Sequence, residues 1–253
     1  NALISVSDKE NLGIILKVLK KNKINIISSG GTYKSIRKLG YNCKEISKYT
    51  GFEEILDGRV KTLHPKIHSG ILFKRDKSLH RKQMNERQFK PIDLVIVNFY
   101  PFETAIKKTL NKKKIIENID IGGPSMVRSA AKNAEHVTTI TDKQDYPRLI
   151  KELNKFKGKT TYNFRKEMAG KAFNLTAYYD SIISEWFNRD IGVEFPERKT
   201  FFGKKITELR YGENPHQKSS IYVNSLLNND ISLQQLGGKD LSYNNYNDIF
   251  AGL

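Results

Sequence analysis

The chain contains a single cysteine, Cys43, so no disulfide can form within it, and a reducing, cytoplasmic setting is expected. Cys43 itself reads as a small buried residue in a short strand. No apolar run approaches membrane-spanning length and no signal peptide opens the sequence, so no membrane partner is expected. Neither a P-loop nor a dinucleotide fingerprint is present, which disfavours ATP and NAD. A nucleophile-elbow serine is missing, as is any Cys–His pair with an orienting partner, which argues against covalent catalysis. No carboxylate or thiol sits at ligand spacing from His64 and His68, and Pro65 is expected to disturb the local helix, so no metal site is predicted. Acidic residues are also in short supply, 27 against 44 lysines and arginines, for a net charge of +17. Such a charge invites nucleic acid or an anionic substrate. The cations, however, are spread over every segment without a nucleic-acid-binding signature. A compositional drift toward Lys and Asn accounts for most of the excess, and no nucleic-acid partner is expected.

What is present is an alternation of strands and helices. Ala2 to Val6 reads as a strand, and Ser7 with Glu10 forms a capping-box pattern ahead of a helix bearing Leu12, Ile15, Leu16 and Leu19 on one stripe. A second strand, Ile24 to Ser28, leads into Ser29-Gly30-Gly31-Thr32 and a helix through Ile36 and Leu39. A third short strand surrounds Cys43. Leu94-Val95-Ile96-Val97 reads as a fully buried central strand, and His136 to Ile140 as a fifth. A helix around Tyr146 to Leu153 and a long one from Tyr162 to about Arg189 follow. In the long helix Met168, Leu175, Tyr179, Ile182 and Trp186 are expected to face inward. This order predicts an α/β fold, a parallel sheet with helices on both faces and no internal repeat.

In such sheets ligands bind beyond the carboxyl ends of the strands, where four polar stretches fall. Ser7 and Lys9 follow the first strand, and Ser29 to Thr32 the second. Hydroxyls, glycine amides and Lys9 at neighbouring helix N-termini suit a phosphate monoester, although capping alone also favours such residues. Asn98-Phe99-Tyr100-Pro101 follows the central strand. The fourth, Asp120 to Asn133, joins a carboxylate and a glycine pair, Gly122 and Gly123, to a helix begun by Pro124. Free amides are expected at that helix start, and Arg128 and Lys132 share one helix face. Asp120 could meet Lys132 only inside a shaped pocket. Arg59 to Gly70 looks too polar and irregular for core and too rich in donors for a spacer.

Six ordered motifs, S-V-S-D-K, S-S-G-G-T, G-R-V-K-T-L-H-P-K-I-H, N-F-Y-P-F, D-I-G-G-P and A-A-K-N, make the sequence similar to one family. It is that of the bifunctional purine-biosynthesis proteins. Their N-terminal half is inosine monophosphate (IMP) cyclohydrolase, and their C-terminal half is aminoimidazole carboxamide ribonucleotide (AICAR) transformylase. The resemblance spans essentially the whole chain, continuing past a linker near Phe195-Pro196 into L-R-Y-G-E-N-P-H-Q and G-G-K-D-L-S-Y-N-N. It departs only mildly, with Ser69 where Gly or Ala is usual and Phe99 where Leu is common. It implies a methylglyoxal-synthase-like α/β domain over residues 1–195, then the truncated start of a second α/β domain over residues 196–253. The missing initiator Met and the ending on Ala251-Gly252-Leu253 predict that both ends are cut.

By that resemblance Lys61, Tyr100, Asp120 and Lys132 fall on catalytic positions. Ser7, Lys9, Ser29, Gly30, Gly31, Thr32, Arg59, Thr62 and Asn98 fall on nucleotide-contacting loops, and Gly122 and Gly123 line the same pocket. The implied reaction is closure of 5-formamidoimidazole-4-carboxamide ribonucleotide (FAICAR) to IMP with loss of water. Asp120 would hold the carboxamide and assist its proton loss, Lys61 and Lys132 would stabilise the oxyanion, and Tyr100 would aid proton transfer. These roles are interchangeable among the four. No cofactor is expected for this step, whereas the transformylase half implies 10-formyltetrahydrofolate as cosubstrate. Arg210, Tyr211 and Asn244 resemble contacts to the transformylase substrate, but the family's catalytic Lys-His pair lies beyond this sequence. A homodimer is implied by resemblance. Two other classes stand beside this reading: an effector-binding regulatory module of the same fold without turnover, and a basic nucleic-acid binder supported only by net charge.

Overall fold

The computed structural model describes residues 1–224, 226 and 236–252; Leu253 lies outside them. They form two compact units, residues 1–177 and 178–253, and the long helix Tyr162–Asp190 runs through the division.

The first unit is built on five parallel strands, β1 (Ala2–Val6), β2 (Ile26–Ser28), β3 (Lys44–Glu45), β4 (Leu94–Asn98) and β5 (Thr138–Ile140). They are arranged in the order β3-β2-β1-β4-β5. Around them lie α1 (Leu12–Lys21), α2 (Gly30–Lys38), α3 (Ile46–Thr50), α4 (Pro65–Leu72), α5 (Ser78–Glu86), α6 (Phe102–Lys108), α7 (Lys112–Glu117), α8 (Gly122–Lys132), α9 (Tyr146–Lys155) and α10 (Tyr162–Asp190). Successive residues of a strand point to opposite faces, so Ala2, Ile4 and Val6 share one side. They join Leu94, Ile96 and Ile140 with the apolar stripes of α1 and α9 and with Phe164 and Met168 in one core. Leu3, Val95 and Val97 are buried on the other side, the side of α4 and α8. Both faces are therefore covered, which is why β4 reads as an uninterrupted apolar run.

Several local expectations are corrected. Ser7 does not cap α1: Asn11 occupies that position in a left-handed conformation without a side-chain bond. The Ser7 hydroxyl is used across the sheet instead. Pro65 starts a helix rather than disturbing one, because a first-turn residue has no amide to lose. The segment judged too polar for core supplies Ile67, which is wholly buried together with Ile71 just beyond it, as α4 packs against α8. Cys43 is half-buried just ahead of β3, not buried within a strand. In α10, Met168, Tyr179 and Ile182 are buried as expected, whereas Leu175 and Trp186 are half-buried.

The second unit holds an antiparallel pair, β6 (Lys204–Glu208) and β7 (Ser220–Val223), and α11 (Tyr243–Gly252). Every residue of β6 is exposed and no residue of α11 is buried. Pairing without a covered apolar face is a marginal arrangement.

Candidate active site

β1 and β4 pair in parallel with Val6 beside Asn98, so the two strands end level. The chain reverses its sheet order between them, and ligand crevices form at such points. Asn98 joins the two strand ends: its Oδ1 accepts from the Ser7 amide at 2.6 Å, the Ser7 hydroxyl at 2.8 Å and the Asp8 amide at 3.1 Å. Its amide nitrogen donates to the Asp8 carbonyl at 3.1 Å. On the other flank Thr32 Oγ1 accepts from the Val6 amide at 3.0 Å and donates to the Val6 carbonyl at 2.9 Å. The first turn of α2 is thereby locked onto the end of β1. Gly30, with φ +53°, opens that turn in a backbone region that side chains disfavour. The amides of a short loop and a helix start are presented beside the Lys9 ammonium, which donates to the Ser7 carbonyl at 3.1 Å.

Above these strand ends lies a cleft of about 540 Å³. Ser7, Lys9, Ser29, Gly30, Gly31, Thr32, Arg59, Lys61, Thr62, Asn98, Tyr100, Asp120, Gly122 and Gly123 all line it. Lys132 does not. It is exposed at the last turn of α8, roughly 15 Å along the helix from Gly122 at 1.5 Å per residue. The buried stripe of α8 is Gly123, Met126, Val127, Ala130 and Ala131, so Arg128 and Lys132 occupy its outer face. Arg128 there lies 5.7 Å from the Phe173 ring centre. Asp120 and Lys132 are thus not brought together. Arg210, Tyr211 and Asn244 belong to the second unit. There the Arg210 guanidinium lies 4.9 Å from the Tyr211 ring centre, and Asn244 donates to the Glu213 carbonyl at 3.2 Å. Hydrogen bonds from Arg210 and Ser242 hold the Tyr211 phenol below its usual range.

The Asp120 carboxylate is the chemical centre of the cleft. Its Oδ1 accepts from the Gly123 amide at 2.8 Å, so the start of α8 is filled by the protein's own anion rather than left with free amides. Burial pushes the Asp120 carboxyl above the ordinary carboxylate range. The Gly123 and Tyr100 amides and the Lys61 charge oppose that rise. A side chain at Gly123 would collide with this carboxylate, and one at Gly122 with Thr62 Oγ1. The glycine pair is therefore required by close approach, not by flexibility. The Lys61 ammonium lies 3.5 Å from Glu54 and would stand 3.4 Å from a Cβ at Gly30. Tyr100 is 47% exposed, with its ring free to meet a ligand.

Residues not anticipated also shape the cleft. Glu54 pairs with Lys61, and Glu117 forms an ion pair with Arg59. Leu56 and Asp57, both at φ 53°, take left-handed backbone at its rim. Such conformations cost about 1–2 kcal/mol per residue and cluster at functional sites. No spacing rule would have found Glu54, because its role depends on a loop that folds back through the Ile55–Val60 bridge. Behind the cleft His68 Nδ1 lies 3.1 Å from Ser129 Oγ, and burial lowers its pKa despite a nearby Thr62 backbone group. His64 Nδ1 instead accepts from the Lys66 amide at 3.0 Å, capping α4. Among the described residues no group of three or more His, Cys, Asp or Glu is placed to hold a metal. No described helix is long and apolar enough to cross a membrane.

Comparison with known proteins adds to this geometry. Residues 12–125 match the MGS-like domain, and residues 130–253 match the AICARFT/IMPCHase bienzyme. The chain is 47% identical over 251 residues to the bifunctional purine biosynthesis protein PurH of Bradyrhizobium diazoefficiens, covering 99% of this chain and 47% of that protein. It is also 47% identical to PurH of Persephonella marina, covering all of this chain and 50% of that protein. The crystal structure of ForH superimposes with a TM-score of 0.66 at 33% identity, covering 74% of this chain and 96% of ForH. The chain spans about half the length of the curated relatives it matches. A parallel five-stranded sheet of the MGS-like kind, followed by bienzyme sequence at this identity, leads to one conclusion: the chain belongs to the family of the bifunctional purine biosynthesis protein PurH.

Proposed function

We propose that residues 1–195 form an IMP cyclohydrolase, closing the purine ring of FAICAR to give IMP and water. The observation that carries the reading is the half-buried Asp120 carboxyl, raised by burial and set in one cleft with Lys61 and Tyr100. The substrate carboxamide nitrogen is a poor nucleophile and must lose a proton as it attacks the formyl carbon. A carbon–nitrogen bond forms while the formyl oxygen gathers charge, then leaves as water after taking up two protons. Asp120, with a pKa moved toward neutrality, suits the proton acceptor and the hydrogen-bond partner that orients the amide. Lys61 suits the oxyanion donor and Tyr100 the proton relay. The test is ring closure by the purified chain, with Asp120 substitution as its control.

The assignment of Lys132 to this chemistry rests on family resemblance, not on its position. Lys132→Ala is expected to lower kcat for ring closure while leaving the protein folded. A purified Lys132→Ala chain with wild-type kcat would confine the chemistry to the three cleft residues. The phosphate of the nucleotide is proposed to sit between Lys9 and the first turn of α2, where amides and an ammonium converge. Lys9→Ala is then expected to weaken nucleotide binding about tenfold or more, the loss of one charged hydrogen bond, with kcat at saturation nearly unchanged. Equal affinity of both proteins in a nucleotide titration would move the phosphate elsewhere.

Residues 1–195 are proposed as the cyclohydrolase domain, and residues 196–253 as a linker and the opening of a transformylase domain. In the complete bienzyme that domain would take 10-formyltetrahydrofolate, with Arg210, Tyr211 and Asn244 toward the AICAR ribonucleotide. A cytoplasmic homodimer, without metal or redox cofactor in the ring closure, completes the proposal.

A further inference from the structure

Cations that look scattered along the sequence converge at one place in the first unit, away from the cleft. A groove of about 970 Å³ runs beside β2 and β3 and is reached from the N-terminal ends of the strands, past Asn1, Asn25 and Lys90. Seven lysines and arginines line it, against one carboxylate, Glu45. Cys43, which also lines it, adds no negative charge, since burial pushes its thiol up to about 11.

The cations are not a loose fringe. The Lys20 ammonium lies 5.9 Å from the centre of the Tyr41 ring. Lys44 and Lys66 lie 5.8 and 5.3 Å from the centre of the same Tyr49 ring, and Lys66 is also 5.9 Å from that of Phe89. Tyr49 is itself buried and donates to the Lys90 carbonyl at 3.3 Å, so the ring that gathers two ammoniums is fixed. The Arg37 guanidinium donates to Asn42 Oδ1 at 3.2 Å. Aromatic faces thus hold flexible cations in place, lowering the entropy lost when an anion arrives.

Like charges gathered in one concavity repel unless an anion joins them. A phosphate monoester would neutralise no more than two of the seven. A single nucleic-acid strand is bound by aromatic faces open to stack bases, and here Tyr41 and Tyr49 already carry ammoniums. We propose that this groove is a binding site for a small oligophosphate anion, several linked phosphoryl groups recognised by charge, such as a nucleoside triphosphate or inorganic tripolyphosphate. The site is separate from the Asp120 cleft and does not depend on the reaction proposed there.

Titration calorimetry of the whole chain with inorganic tripolyphosphate, at fixed ionic strength, tests it. Saturable one-to-one binding is expected, weakened about tenfold or more in Lys20→Ala/Lys44→Ala/Lys66→Ala, since each exposed charge pair contributes a few-fold. Lys20→Gln/Lys44→Gln, which keeps the aliphatic stems, is expected to lose affinity as well and guards against a folding defect. Lys151→Ala, at an exposed lysine of α9 that lines neither the groove nor the cleft, is expected to change nothing. Adenosine triphosphate is expected to bind about as tightly as tripolyphosphate. Equal affinity in the charge-removed variants, loss of binding in Lys151→Ala, or binding of adenosine triphosphate alone would overturn the proposal. So would displacement of tripolyphosphate by a single-stranded oligonucleotide at lower phosphate concentration.

Discussion

Asp120→Asn, in a chain that still folds, is expected to lower kcat for ring closure by about 10²–10⁴-fold, the range that a positioned acid–base group supplies. The substitution keeps the shape of the side chain and its acceptor oxygen for the Gly123 amide. It removes the charge that Lys61 faces and the base that the carboxamide needs. The pH dependence has a definite sign. Burial raises the Asp120 pKa, so the folded chain favours the protonated acid. The stability this contributes is fully present below the unfolded pKa and is lost as pH rises through the folded value. Above that folded value wild-type Asp120 is a half-buried charge, and there Asp120→Asn is expected to melt no lower than wild type while losing activity. In the wild type the acid limb of kcat should fall above the ordinary carboxylate range and vanish in the variant. A pH profile with its acid limb intact in Asp120→Asn would assign the base elsewhere.

The 253-residue polypeptide, assayed as it stands, is expected to close the purine ring yet show no formyl transfer from 10-formyltetrahydrofolate. Its first unit holds the whole five-stranded sheet and every cleft residue named above. The second unit supplies Arg210 and Tyr211 in the connection between the two strands of a ribbon, and Asn244 on an uncovered helix. Transfer between two substrates needs both held in reacting geometry, worth many orders of magnitude in rate. A ribbon whose β6 is wholly exposed cannot hold them so. Parallel assays with each substrate supplied separately make the comparison. Formyl transfer at a rate similar to ring closure would overturn the proposed division of the two activities near residue 195.

The strands were legible because β1, β2 and β4 are largely apolar runs that the sheet buries, and α1 and α9 carry complete apolar stripes. The segment from Arg59 to Gly70 was misread because its core residue Ile67, like Ile71 just beyond it, sits near polar neighbours. Burying Ile67 and Ile71 contributes about 2 kcal/mol each, and that outweighs the polar residues, which simply face outward. Ser7 was read as a helix cap because a local pattern was available. The longer-range bonds to Asn98 and the Phe99 carbonyl won, joining residues more than ninety positions apart. The motif residues around the cleft could be gathered from sequence, but Lys132 could not be placed relative to Asp120 without the length of α8. Glu54 was invisible for the converse reason, since only the folded loop puts it beside Lys61.

Ring closure is tested most directly by following ultraviolet absorbance as the purified chain is mixed with FAICAR. Catalysed appearance of the closed purine chromophore, saturable in substrate and lost in Asp120→Asn, is the expected result. Tight nucleotide binding with no turnover above the uncatalysed rate would contradict it, and would make the cleft a regulatory effector site instead.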